Sequence, residues 1–191
     1  MERGVLRRSA VIPQRPVLRR ARGFTLVELA VVVTIVAVLS VIALVGYRKY
    51  MLNSKLTEAQ SMISGIKIAQ EDHKSEKGTY ADIGKDTWCP TNAGNGTVKA
   101  PWDPTCNGGK AAWNTLAVHV EGPLHFQYVT IAANAWAAPG IPEASFVSWG
   151  SPAVTANYVI VARCDLDPGG DVTSLVGSSV DNRIFTNNAG Q

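Results

Sequence analysis

The stretch "RGFTLVELAVVVTIVAVLSVIAL", residues 22–44, decides how this chain is read. From Leu29 to Gly46 no residue is charged, and only Thr34 and Ser40 interrupt the aliphatic series. Phe24 to Tyr47 is 24 residues. As a helix that length reaches ~36 Å at ~1.5 Å per residue. The hydrocarbon core of a bilayer is ~30 Å thick, so the segment is predicted to cross it with some tilt. A soluble core helix is a poor alternative, because apolar runs this long rarely occur in soluble domains. One residue does not fit a plain span: Glu28. A central carboxylate in a membrane helix costs about 2.5–3.5 kcal/mol on insertion scales, which marks it as functional.

Charge on either side of the run sets its direction. Residues 1–23 hold seven arginines (Arg3, Arg7, Arg8, Arg15, Arg19, Arg20 and Arg22) against one acid, Glu2, a net +6. Residues 24–191 carry a net −3. The overall +3 and the pI near 8.8 therefore report the N-terminal segment, and a nucleic-acid reading based on overall basicity fails. Only Arg48, Lys49 and Lys55 closely follow the run, so the positive-inside rule puts the N-terminus in the cytoplasm and the rest outside. A cleaved secretory signal needs a shorter apolar core followed by a small-x-small site, and "VIALVGYRKYM", residues 41–51, offers none. The helix is expected to be retained.

"RGFTLVEL", followed by about twenty apolar residues, resembles the prepilin signal of the type IV pilins and of their relatives, the type II secretion pseudopilins and competence pilins. The resemblance is strong over residues 22 to about 50 and weaker through the next helix into "SEKGTYADI". It implies that a prepilin peptidase cuts between Gly23 and Phe24 and methylates the new amine of Phe24. Residues 1–23 are then a removed basic leader. Glu28 becomes the fifth residue after the cut, the acidic position of the family. A positive amine at Phe24 can pair with Glu28 in a low-dielectric setting. Residues 24 and 28 are i and i+4, so a pair within one helix is open. The resemblance favours the other geometry, in which Glu28 neutralises the amine of a neighbouring subunit and sets the stagger. A third reading leaves Glu28 hydrated near the membrane surface. The chain departs from the family at Val45, where many members have proline, and at Ala37, where many have glycine.

Beyond the span, residues 48–77 are predicted to continue as an amphipathic helix. Leu52, Leu56, Ala59, Ile63, Ile66 and Gln70 recur at spacings of four and three and form one stripe. Thr57, Glu58, Gln60, Lys67, Glu71 and Lys74 supply the polar faces, with Lys67 and Glu71 at ion-pair spacing. Gly78 is a suitable stop. Residues 78–191 hold most of the glycines and prolines, and turns should dominate. "TLAVHVE" (115–121) and "LHFQYVTIA" (124–132) are predicted to form an antiparallel hairpin across Gly122-Pro123. "NYVIVAR" (157–163) is a third strand and "NRIFTN" (182–187) an edge strand, while 84–112 and 133–153 read as long loops. The expected fold is α+β: a long N-terminal helix, its first half (24–47) in the membrane, packed through residues 48–77 on a small antiparallel sheet.

The three cysteines all follow the span. Cys89 and Cys106 flank a 16-residue loop, and an oxidising compartment favours their pairing, worth on the order of 3 kcal/mol in the chain-entropy model. Pairings of either with Cys164 stay open. No C-x-x-C is present and His73, His119 and His125 are scattered, so zinc is a poor fit. Asp165, Asp167 and Asp171 in "CDLDPGGDVTS" are weak calcium candidates, but no glutamate closes the loop and an aspartate-rich turn is the favoured reading. No catalytic motif accompanies His119 and His125, so no enzyme is expected and no cofactor is favoured. The tryptophans are expected to pack a core rather than a binding surface.

The favoured function is that of a structural subunit, major or minor, of a type IV pilus-like filament. Its partners would be the prepilin peptidase, other pilin subunits and the inner-membrane assembly platform. It would cross the inner membrane once before assembly and lie in an extracellular filament after it. A type II secretion pseudopilin, acting in a periplasmic pseudopilus, is the nearest alternative. A signal-anchored periplasmic binding domain that does not polymerise is the alternative from another class.

Overall fold

The computed structural model describes residues 23–91, 93–103, 106, 112–133, 141–145, 147, 157–166 and 171–189. The chain forms two compact units, Met1–Leu44 and Val45–Gln191. One helix, α1, spans Leu26–Lys77. Thr25 caps its start: the Thr25 hydroxyl accepts the Glu28 N–H at 3.2 Å, and the Thr25 carbonyl accepts the Leu29 N–H at 3.2 Å. The helix stops at Gly78, whose φ of 78° is the left-handed conformation that ends helices, with its N–H on the Lys74 carbonyl.

The second unit is built on the predicted stripe. Ala59, Ile63, Ile66 and Gln70 are buried, together with Met62, while Leu52 and Leu56 are half-buried. They face a four-stranded antiparallel sheet of order β1-β2-β3-β4: β1 Gln127–Ala133, β2 Asn157–Cys164, β3 Thr173–Ser178 and β4 Ile184–Asn187. A pleated strand sends alternate side chains to opposite faces. Tyr128, Ile160, Ala162 and Leu175 join α1 in one core, with Phe126 beside them. Val129, Val161 and Val176 form a second core on the other face, covered by Trp88, Ile141, Ala144 and Val147. Burying each large aliphatic side chain contributes about 1.5–3 kcal/mol, so the sheet is held from both faces.

Two expectations need correction. Residues 115–121 are not a strand: Ala112–Thr115 forms a short helix, α2, and 118–120 have no regular structure. The alternation of Leu116, Val118 and Val120 instead reflects packing of these residues against the helix-side core. The partner of β1 is β2, with Val129 opposite Val161. The strand β3 was missed because all six of its residues are buried, which erases the alternation that marks a half-exposed strand. The Lys67–Glu71 ion pair also does not form. Lys67 turns to the carbonyls of Asp181 and Asn182, at 3.3 and 3.5 Å, and Glu71 accepts the Tyr80 hydroxyl at 3.0 Å.

Gly177, the next-to-last residue of β3, sets how closely α1 approaches the sheet. A Cβ there would lie 2.7 Å from Ile63 Cγ2 and 3.0 Å from Lys67 Cε. The end of Lys67 can move; Ile63 is fully buried and cannot. Gly177→Ala is therefore expected to cost about 1–3 kcal/mol, read as a lower midpoint in thermal unfolding. An unchanged midpoint would show that the helix can lift off the sheet without loss.

Candidate functional site

The first unit carries the features that set this chain apart. Its helix is apolar on every side: Phe24, Leu26, Val27, Leu29 and the aliphatic residues through Leu44 are exposed. α1 is long and apolar enough to cross a membrane. Its two hydroxyls are satisfied within the helix, Thr34 on the Ala30 carbonyl at 2.8 Å and Ser40 on the Val36 carbonyl at 2.7 Å. Neither needs a partner from outside, as hydrocarbon demands. Glu28 occupies the first turn, where the positive end of the helix dipole favours an acid. "TLVE", residues 25–28, is also a capping-box sequence, with Thr25 as the cap and Glu28 three residues on. Among the described residues Glu28 has no ion pair. Gly23, Phe24 and Glu28 thus lie together at one helix end, with Gly23 and Phe24 before the first helical residue.

In the second unit Cys89 and Cys106 are bonded, with Cα atoms 5.5 Å apart, and Cys164 is free and buried. Burial pushes the Cys164 thiol up to about 11, so it is an inert core residue and not a nucleophile. The segment containing the bridge lies along the edge of β1: Cys89 exchanges backbone hydrogen bonds with Tyr128, and Ala100 with Leu124. Beside it, the Arg163 guanidinium sits 3.9 Å from the centre of the Trp88 ring. It also donates to Glu143 at 2.7 Å and to Gln127 at 3.1 Å. Trp88 and Trp113 are buried, and Trp113 donates its indole N–H to the Thr87 carbonyl. Those tryptophans build a core, as expected; Trp136 and Trp149 lie outside the described residues. So does Asp167. Asp165 and Asp171 flank it, and among the described residues no three His, Cys, Asp or Glu side chains converge as metal ligands.

Sequence reasoning missed two polar anchors of α1. Gln70, placed in the apolar stripe, is fully buried and holds both backbone groups of Ala81 at 2.8 and 2.9 Å, plus the Thr130 hydroxyl at 3.0 Å. Glu58, placed on a polar face, is half-buried. It accepts the His125 backbone N–H at 2.7 Å, lies 3.1 Å from His125 Nδ1 and pairs with Lys99 at 3.2 Å. A glutamine inside an otherwise apolar stripe was the one visible signal. Burial raises the Glu58 pKa, but the hydrogen bonds from His125 and Lys99 outweigh it and hold the carboxyl below its ordinary 4.5. A depressed folded value stabilises the fold above the unfolded pKa, and that stability is lost as the pH falls through the folded value. The stability gap between the wild type and Glu58→Gln is thus expected to be full at neutral pH and to close in acid, as measured by denaturant titration at each pH. A gap independent of pH would show that the carboxylate charge contributes nothing.

Residues 18–44 match the model of the prokaryotic N-terminal methylation motif. Over its N-terminal part the chain is similar to type IV pilins and fimbrial proteins. It is 37% identical over 76 residues to the type IV major pilin protein PilA of Myxococcus xanthus, covering 40% of this chain and 34% of that protein. It is 39% identical over 59 residues to the fimbrial protein EcpC of Eikenella corrodens, covering 31% and 39%. It is 29% identical over 108 residues to a probable minor fimbrial protein of Dichelobacter nodosus, covering 56% and 66%. The likeness thus spans between a third and two thirds of the length of these relatives. No solved structure matches the chain significantly. The α+β fold, a long helix with a four-stranded antiparallel sheet on its second part, is the one the resemblance implied.

Proposed function

We propose that this chain is a filament subunit of the type IV pilus class, made as a precursor and processed at its N-terminus. The observation that carries the reading is the capped helix end: Gly23-Phe24 lies just outside the helix, and Glu28 sits in its first turn with no ion pair among the described residues. In this reading the precursor crosses the inner membrane once, with the arginine segment in the cytoplasm. A prepilin peptidase cuts between Gly23 and Phe24 and methylates the Phe24 amine. The new cation and Glu28 of a neighbouring copy then neutralise each other, which fixes the stagger as subunits leave the membrane. Other pilin subunits and the inner-membrane assembly platform are the partners, and the assembled filament lies outside the cell.

The test is intact mass and N-terminal sequencing of the protein from its native membrane. The expected chain starts at N-methylated Phe24. A chain that keeps Arg22-Gly23 would overturn the processing and favour a signal-anchored domain.

A further inference from the structure

We infer that the groove between the second half of α1 and residues 115–124 is the docking site for the segment Tyr47–Met51 of a second copy of this chain. The inference rests on the filament reading above and names the surfaces through which distant copies meet. The groove has a volume of about 880 Å³ and lies within the second unit. Met62, Ala69, Val118 and Val120 supply its apolar lining. Asp72, Glu76 and Glu121 supply three carboxylates with no ion pair among the described residues. Glu58, at one end, is already engaged by His125 and Lys99. The occupant must therefore be apolar in the middle and positive at its sides.

The chain itself presents such a segment. Tyr47, Tyr50 and Met51 stand at i, i+3 and i+4 on one face of α1, and they are 63%, 71% and 42% exposed. Arg48 and Lys49 flank that stripe, exposed and without an ion pair among the described residues. The two surfaces cannot meet within one molecule. Lys49 and Asp72 are 23 residues apart on one helix, or ~35 Å, and Arg48 and Glu76 are 28 apart, or ~42 Å. A parallel copy shifted along the helix by ~35–42 Å sets Arg48 and Lys49 level with the stretch from Asp72 to Glu76 and the tyrosine stripe level with the apolar lining. A Phe24–Glu28 contact spans only four residues, ~6 Å, so the groove joins copies several steps apart in the stack. Such contacts lock a filament laterally where the nearest-neighbour contact sets only its stagger.

Purified wild-type filaments treated with a zero-length carbodiimide cross-linker test this by peptide mass spectrometry. An amide between Lys49 and Asp72 or Glu76 can only join two copies, given their separation within one helix. The expected result is such a peptide from filaments and none from detergent-dispersed monomer. Arg48→Glu with Lys49→Glu is expected to lower filament yield ~10-fold or more, and Asp72→Lys with Glu76→Lys likewise, since like charges then face each other. Combining all four substitutions is expected to restore yield, which also shows that the variants fold. Wild-type filaments that lack the peptide, with no rescue in the combined variant, would overturn the groove and leave the filament reading intact. Failure of the wild-type chain to enter any filament would overturn both.

Discussion

Glu28→Ala is expected to leave the chain in the membrane at normal levels and to remove it from filaments. Removing the acid makes the span more apolar, so insertion does not suffer. What is lost is the partner for an incoming Phe24 amine. An unpaired charge in a low-dielectric core costs several kcal/mol, and every 1.4 kcal/mol is tenfold in association, so incorporation should fall by about two orders of magnitude or more. The structure supplies a control for a competing explanation. Glu28 is also the third residue of a helix capped by Thr25. Thr25→Ala removes that cap and is expected to cost only about 1 kcal/mol of order at the helix end. Glu28→Gln keeps the polar side chain a capping box can use but has no charge. If charge pairing is the role, Glu28→Gln fails like Glu28→Ala and Thr25→Ala still assembles. The measurement is the ratio of subunit in sheared filaments to subunit in membranes. Normal incorporation of Glu28→Ala would sink the pairing.

Gly96→Ala is expected to be the most damaging single change in the second unit. Gly96 has a φ of 70°, which L side chains rarely adopt, and an added Cβ would overlap the Asp165 carbonyl. Its turn is clamped from several sides: Lys55 of α1 donates to the Gly96 carbonyl at 2.5 Å, and the Asp165 N–H donates to the Gly94 carbonyl at 2.6 Å. Backbone meets backbone there, so no side chain can swing aside. Left-handed strain and overpacking together are expected to cost about 3 kcal/mol or more. For a chain of this size that lowers the midpoint by roughly 6–12 °C. Gly94→Ala separates the two causes. Gly94 also has positive φ, 96°, but its added Cβ would meet only the Gln127 side chain, at 3.2 Å and beyond. It carries the strain without the overlap and should lose clearly less. Equal losses in thermal unfolding of the full chain in detergent would mean that the overlap with Asp165 is relieved by movement of the loop.

The apolar segment and the helix through Lys77 were legible because both rest on local rules. A 24-residue apolar run needs no partner to be recognised, and the spacing of Ala59, Ile63 and Ile66 marks a buried face whatever lies on it. The Gly-Phe-Thr-Leu-x-Glu pattern was legible for the same reason, since residues 23–28 are contiguous at one helix end. Strands β2 and β4 were visible from composition. Residues 115–121 misled because alternation reports which side chains are buried and not how the backbone pairs. In β3, full burial removed the alternation altogether.

By itself, then, the sequence determined a charged N-terminal segment, an apolar helix carrying one acid, an amphipathic continuation and a loop-rich sheet domain. Those follow from residue type and period alone. Only the tertiary structure decided that β1 pairs with β2, that Gln70 holds Ala81, that Glu58 holds His125 and that Gly177 and Gly96 must lack a side chain. Each of these joins residues from 11 to 114 positions apart. No local pattern encodes such partners, because they are selected by the closeness of packing between a helix and a sheet that the chain assembles only once it has folded.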